Sequence, residues 1–86
     1  MPRYTQLPVI SGKKLIKLLQ KGGWVVHGRA KHGVALRKYI VDRTRVTIVP
    51  DTNARLDDGT LSAILGFKQT NIGKRDLLDL VNKFGI

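Results

Sequence analysis

From residue 11 the apolar positions recur at the spacing of one helix face. Leu15, Ile16, Leu18 and Leu19 fall on that face, while Lys13, Lys14, Lys17 and Lys21 project from the other side. Ser11 stands where an N-cap side chain accepts from an orphan helix amide. Gly22-Gly23 stops the run, because glycine tolerates the left-handed backbone common at helix C-termini. The period then shortens. Trp24–Arg29 predicts a first strand. Val34–Val41 predicts a second, with Val34, Leu36 and Ile40 on one face and Ala35, Arg37 and Tyr39 on the other. Arg45–Val49 predicts a third, with Val46 and Ile48 inward, and Pro50 ends it because proline has no amide for the ladder. The connecting segments, Ala30-Lys31-His32-Gly33 and Asp42-Arg43-Thr44, are short enough to imply an antiparallel meander.

A polar loop over Pro50–Asp58 leads to a second helix carrying Leu61, Ile64 and Leu65. Asp57 and Asp58 lie at its N-terminus, where negative charge suits the helix dipole, and Gly66 closes it. A third helix, about Lys74–Lys83, presents Leu77, Leu78, Val81 and Phe84, with Thr70 or Asn71 near its start. Residues 1–10, with both early prolines, read as an extended N-terminal arm. The expectation is one α+β domain over residues 1–86, ordered α-β-β-β-α plus a C-terminal helix. A three-stranded antiparallel sheet would have helices on one face, since neither layer can bury its apolar side alone. This is the order of the double-stranded-RNA-binding domain, a fold that reads an A-form helix by shape and backbone contacts. Element order does not by itself assign a function.

Composition narrows the class. A chain of 86 residues makes one small domain. The absence of cysteine excludes a disulfide scaffold, a thiolate metal site and a cysteine nucleophile. With no signal peptide and no apolar run of membrane-spanning length, the expectation is a cytoplasmic protein without a membrane partner. Charge is distributed unevenly. Residues 1–50 hold eleven of the sixteen Lys and Arg against one acid, Asp42, whereas residues 51–86 hold five bases and five acids. The whole net charge of +10 therefore belongs to the first 50 residues. A focused positive field attracts polyanions and speeds their capture. Nucleic acid is the first reading and an anionic membrane surface the second. A surface tuned only for solubility does not call for one-sided charge.

Histidine is the residue type that exchanges protons near neutral pH, and the chain has two. His32 lies in the turn between strands one and two, with Lys31 beside it, Arg29 three residues back, and Gly28 and Gly33 flanking the segment. A histidine there can take the proton from a ribose 2′-OH or protonate the leaving 5′-oxygen, and neighbouring cations can stabilise charge on the phosphorane. RNA supplies its own nucleophile, so no cofactor or metal is needed. The candidate RNA contacts are Lys13, Lys14, Lys17, Arg29, Lys31, Arg37 and Lys38. His27 alternates with Val25 and Arg29, opposite Trp24 and Val26, and reads as a partly exposed strand histidine. Trp24, at a helix–strand junction, reads as core. Asp57-Asp58 reads as a helix cap, and the acids lack metal-ligand spacing with either histidine.

The ordered set Ser11-Gly12-Lys13-Lys14-Leu15-Ile16-Lys17-Leu18-Leu19, Gly23-Trp24, His32, Val46-Thr47-Ile48-Val49-Pro50 and Gly59-Thr60-Leu61-Ser62-Ala63-Ile64-Leu65 resembles the HicA toxins of bacterial toxin–antitoxin systems. The resemblance spans roughly residues 8 to 84. It implies a double-stranded-RNA-binding-like fold and a metal-independent endoribonuclease that cuts mRNA, with His32 as the catalytic histidine. It also implies a cognate HicB-type antitoxin covering the basic face. The chain departs from the family pattern at two points. Ala30-Lys31 replaces the usual Gly-Ser before the histidine, and Gly33 and Asp51 stand where many members place a second histidine. Two further readings remain open at this level. One is a non-catalytic RNA- or DNA-binding module, and the other is a structural subunit whose basic face docks an acidic protein. Duplex binding in the usual mode is not expected, since the helix that would carry a lysine cluster starts with Asp57-Asp58-Gly59.

Overall fold

A computed structural model describes residues 8–41 and 43–85, so most of the expected arm, residues 1–7, lies outside the described residues. Helix α1 (Gly12–Lys21) starts at Ser11, whose side chain accepts from the Lys14 amide at 3.2 Å. It buries Leu15, Ile16, Leu18 and Leu19, the face expected from the spacing. Strands β1 (Val25–Ala30), β2 (Gly33–Ile40) and β3 (Arg43–Val49) form one antiparallel sheet in the order β1-β2-β3. Ala30 pairs with Gly33 and Ile40 with Arg43, so the first hairpin closes through Lys31-His32 and the second between Ile40 and Arg43. Helix α2 (Asp58–Leu65) is capped by Asp57, which accepts from the Thr60 amide at 2.6 Å, and ends at Gly66. Helix α3 (Gly73–Phe84) packs against α1 and α2. The fold is thus α+β, with the double-stranded-RNA-binding-like arrangement that the element order predicted.

One core holds the described elements together. Val34, Leu36 and Val49 from the sheet join Leu15, Leu18 and Leu19 of α1, Ile64 and Leu65 of α2, and Leu77 and Val81 of α3. Trp24 is also buried there, as expected. Burying side chains of this size is the main favourable term in folding a small domain. The opposite sheet face is bare among the described residues. It shows Val25, Tyr39, Val46 and Ile48 to solvent.

Two expectations about the strands fail, each for a local reason. On β3 the inward residues are Thr47 and Val49, whereas Val46 and Ile48 are each 44% exposed. The register pairs Thr47 with Leu36 and Val49 with Val34, so strand alternation sends Val46 and Ile48 to the open face. All four residues are β-branched, which hides the polarity of the strand from its composition. Burial of Thr47 is compensated because its hydroxyl donates to the Gln69 side-chain oxygen.

On β1 the simple alternation of Val25, His27 and Arg29 is broken. Val26 pairs with Leu36 and Gly28 with Ala35, leaving His27 as the inserted residue of a β-bulge. Beyond the bulge Arg29 pairs with Val34 and so moves to the helix-covered side of the sheet. His27 itself is exposed, as expected. Thr70 and Asn71 lie just before α3, as expected. The N-cap is Ile72, with no side-chain cap bond, while Thr70 is buried and donates its hydroxyl to the Ile64 carbonyl at 2.7 Å.

Candidate functional site

Two glycines draw three parts of the chain to one corner. A Cβ on Gly33 would sit 2.2 Å from the Val49 carbonyl oxygen, and one on Gly12 would sit 1.8 Å from the Pro50 carbonyl oxygen. Only residues without a side chain allow that approach. The return of the β1–β2 hairpin and the first turn of α1 are thereby pressed onto the end of β3. The Lys13 amide adds a bond to the Thr52 carbonyl at 3.0 Å.

Asp51 lies at this junction. One of its carboxylate oxygens meets Lys13 Nζ at 3.2 Å, and the other accepts from Arg29 Nη1 at 2.8 Å. The Arg29 hydrogen bond, and next the one from Lys13, hold the Asp51 carboxyl below the usual carboxylate range. The β1 bulge is what makes the Arg29 contact possible, because it turns that side chain toward α1. Between α1 and the sheet runs a groove of about 290 Å³ lined by the apolar Ile16, Val26 and Val34 and by the cations Lys13, Lys17 and Arg29.

The first turn of α1 carries Lys13 and Lys14 and no acid. Cations there oppose the positive end of the helix dipole, and local rules of this kind are most often broken where function requires it. The Lys13 and Lys14 amides already donate to Thr52 and Ser11. Attraction for an anion at this corner therefore comes from the side-chain cations, with little left to the helix N-terminus itself.

The sequence-predicted residues divide into groups. His32 and Lys31 form the exposed tip of the β1–β2 turn, and the next residue, Gly33, packs on Val49 and Pro50. Lys13 and Arg29 meet at Asp51, and Lys17 lines the adjoining groove. Lys14 is exposed on α1 and lines a second shallow groove with Asn53 and Arg55. Arg37 is exposed on the opposite sheet face, where it pairs with Val25 and Val46. Lys38 does not join the cluster. Strand alternation turns it inward, and its Nζ donates to the Gly22 carbonyl at 2.7 Å, tying β2 to the end of α1. Asp51, marked in the sequence only as standing where many HicA toxins place a second histidine, is the residue that joins Lys13 to Arg29. A lone acid directly after Pro50, facing the basic half of the chain, was the signal available.

A family model described as "HicA toxin of bacterial toxin-antitoxin" matches residues 12–72. The chain belongs to the HicA toxin family. The matched span runs from α1 through α2 and contains Lys13, Arg29, His32 and Asp51, so the corner described above lies within the HicA portion. Helix α3 follows it. No curated protein and no solved structure matches the chain. No helix among the described residues is long and apolar enough to cross a membrane.

Proposed function

We propose that this HicA-family chain is the toxin of a toxin–antitoxin pair, a metal-independent endoribonuclease that cuts mRNA in the cytoplasm with His32 as its catalytic residue. The observation that carries the reading is the position of His32. It is exposed at the tip of a turn whose next residue, Gly33, packs on Val49 and Pro50, the segment that leads into Asp51 of the Lys13–Asp51–Arg29 cluster. A mobile strand can reach the imidazole from solvent while nearby cations take its phosphates.

In the reaction, His32 removes the proton from a ribose 2′-OH, and the 2′-oxygen attacks the adjacent phosphorus. The P–O5′ bond breaks, and the 5′-oxygen leaves with a proton from solvent. One product ends in a 2′,3′-cyclic phosphate and the other in a free 5′-OH. Lys31, at the same turn, is the nearest cation in sequence to stabilise the phosphorane. Lys13, Lys14, Lys17 and Arg29 hold the flanking backbone, and Arg37 extends the contact to the open sheet face. The same basic surface suits an acidic HicB-type antitoxin, which would block His32 by covering it.

The test is incubation of the purified protein with labelled mRNA in the presence of EDTA. Cleavage is expected to continue, to yield cyclic-phosphate ends, and to skip any site where a 2′-deoxyribose replaces the ribose. Retained but uncut RNA at saturating protein would instead identify a non-catalytic binding module. Cleavage at the 2′-deoxy site would rule out the 2′-OH as nucleophile.

A further inference from the structure

We propose that Asp51 is a positioning residue: its carboxylate joins Lys13 of α1 and Arg29 of β1 into one clamp that grips a single backbone phosphate of a nucleic-acid strand beside the His32 turn. The ligand class rests on the nucleic-acid reading above. The clamp is read from the geometry of the three side chains.

The two cations do not share an oxygen. Lys13 Nζ lies on one carboxylate oxygen of Asp51 and Arg29 Nη1 on the other. They are therefore held as far apart as a two-oxygen anion sets them. A phosphodiester also presents two non-bridging oxygens on one centre, with a similar spread. The exposure of the three side chains gives the clamp a direction. Asp51 is 22% exposed, Lys13 49% and Arg29 73%, so the carboxylate is the most covered of the three and the cations are the more open to solvent. An ammonium has three donors and a guanidinium five, and one contact to Asp51 from each leaves the others available on the open side.

Without a carboxylate between them, two long cationic side chains would repel one another. Each would also lose its rotamer freedom separately on meeting a phosphate. With it, part of that ordering is done before the ligand arrives, which is the general route by which preorganisation raises affinity. Several local features converge on this arrangement. The His27 bulge turns Arg29 toward α1, Gly12 lets the first turn of α1 sit on Pro50, and the Lys13 amide anchors that turn to Thr52. A simple count of charges predicts the opposite role for Asp51. On that view it merely weakens attraction for polyanions, and its removal tightens binding with no other effect.

The experiment measures affinity for a short single-stranded RNA carrying 2′-O-methyl groups, so that binding is read apart from cleavage. Wild type, Lys13→Ala, Arg29→Ala and the double variant are compared, first with Asp51 intact and then in an Asp51→Asn background. With Asp51 intact, each single substitution is expected to weaken binding about tenfold, and the double variant to lose little beyond that, because either change opens the clamp. In the Asp51→Asn background the two losses are expected to multiply, and Asp51→Glu, which keeps the carboxylate, is expected to restore the coupling at least in part. Losses that multiply with Asp51 intact overturn the clamp, and that arm does not depend on how the Asp51→Asn protein folds. Equal coupling in both backgrounds assigns it to something other than Asp51 and overturns the proposal as well. A wild type that binds this probe yet leaves ordinary mRNA intact removes the ribonuclease reading and spares the clamp. A wild type that does not bind it removes the nucleic-acid ligand and the clamp together.

Discussion

The two hairpin turns of the sheet are built alike and held very differently. Each connects antiparallel neighbours, Ala30 with Gly33 in one and Ile40 with Arg43 in the other. The Lys31-His32 turn leads into Gly33, whose backbone packs on Val49 and Pro50, and its β1 side is tied by Arg29 to Asp51. At the other end of the sheet, Val41 is 90% exposed and sits at a φ of 62°. A β-branched residue in the left-handed region is a steric outlier. The difference separates a turn built to hold a shape from one that merely connects strands. Tertiary contacts fix the turn that carries the candidate chemistry, whereas the connecting turn stores strain that no described contact offsets.

The contrast breaks first at Gly33. Gly33→Ala would force a methyl group into the Val49 carbonyl and is expected to cost about 2–3 kcal/mol, as overpacking against an unyielding backbone does. Chemical denaturation would show this as a lower midpoint with little change in slope. Affinity for RNA should fall with it, since the corner moves.

At the opposite turn the sign reverses. Val41→Asn replaces a β-branched residue with one that tolerates positive φ, and a stability gain of about 1 kcal/mol is expected. Affinity for RNA should not change. A loss of stability would show that Val41 is not the strained position.

The smallest effect is on acid stability. Asp51 and Asp57 both have carboxyl groups held below their ordinary value of 3.8, Asp51 chiefly by the Arg29 hydrogen bond and Asp57 chiefly by the Thr60 amide. A carboxyl lowered in the folded state stabilises it above the unfolded value, and the contribution is lost as pH falls through the folded value. The unfolding midpoint is thus expected to hold from neutrality to about pH 4 and to decline below it. The gap between wild type and Asp51→Asn should be constant over the upper range and close in acid. A gap that widened in acid would contradict the sign. Both groups are near the surface, where ion pairs contribute modestly and salt weakens them.

Local signals carried most of the element map. Ser11, Gly22-Gly23, Pro50, Asp57 and Gly66 mark chain punctuation, and the structure places helix and strand ends at or next to them. The orientation of β3 was not legible, because Val46, Thr47, Ile48 and Val49 favour a strand equally on either face and only the register with β2 chooses. The bulge had a signal, a glycine inside a strand at Gly28, but the signal does not say which neighbour is inserted. Of the candidate site, the charge asymmetry and His32 could be read from the chain alone. The Lys13–Asp51–Arg29 cluster could not, since it joins residues from α1, β1 and the segment after β3. Lys38 was misplaced for the same reason, its inward direction being set by the sheet pairing.

The central claim is that the tied turn carries catalysis through His32. The direct measurement is the single-turnover rate of mRNA cleavage at saturating protein for wild type, His32→Ala and Val41→Ala. The expected result is a loss of about 10²–10⁴-fold for His32→Ala, with RNA affinity and the unfolding midpoint nearly unchanged, and no loss for Val41→Ala. A His32→Ala protein that cuts mRNA at the wild-type rate would contradict the account.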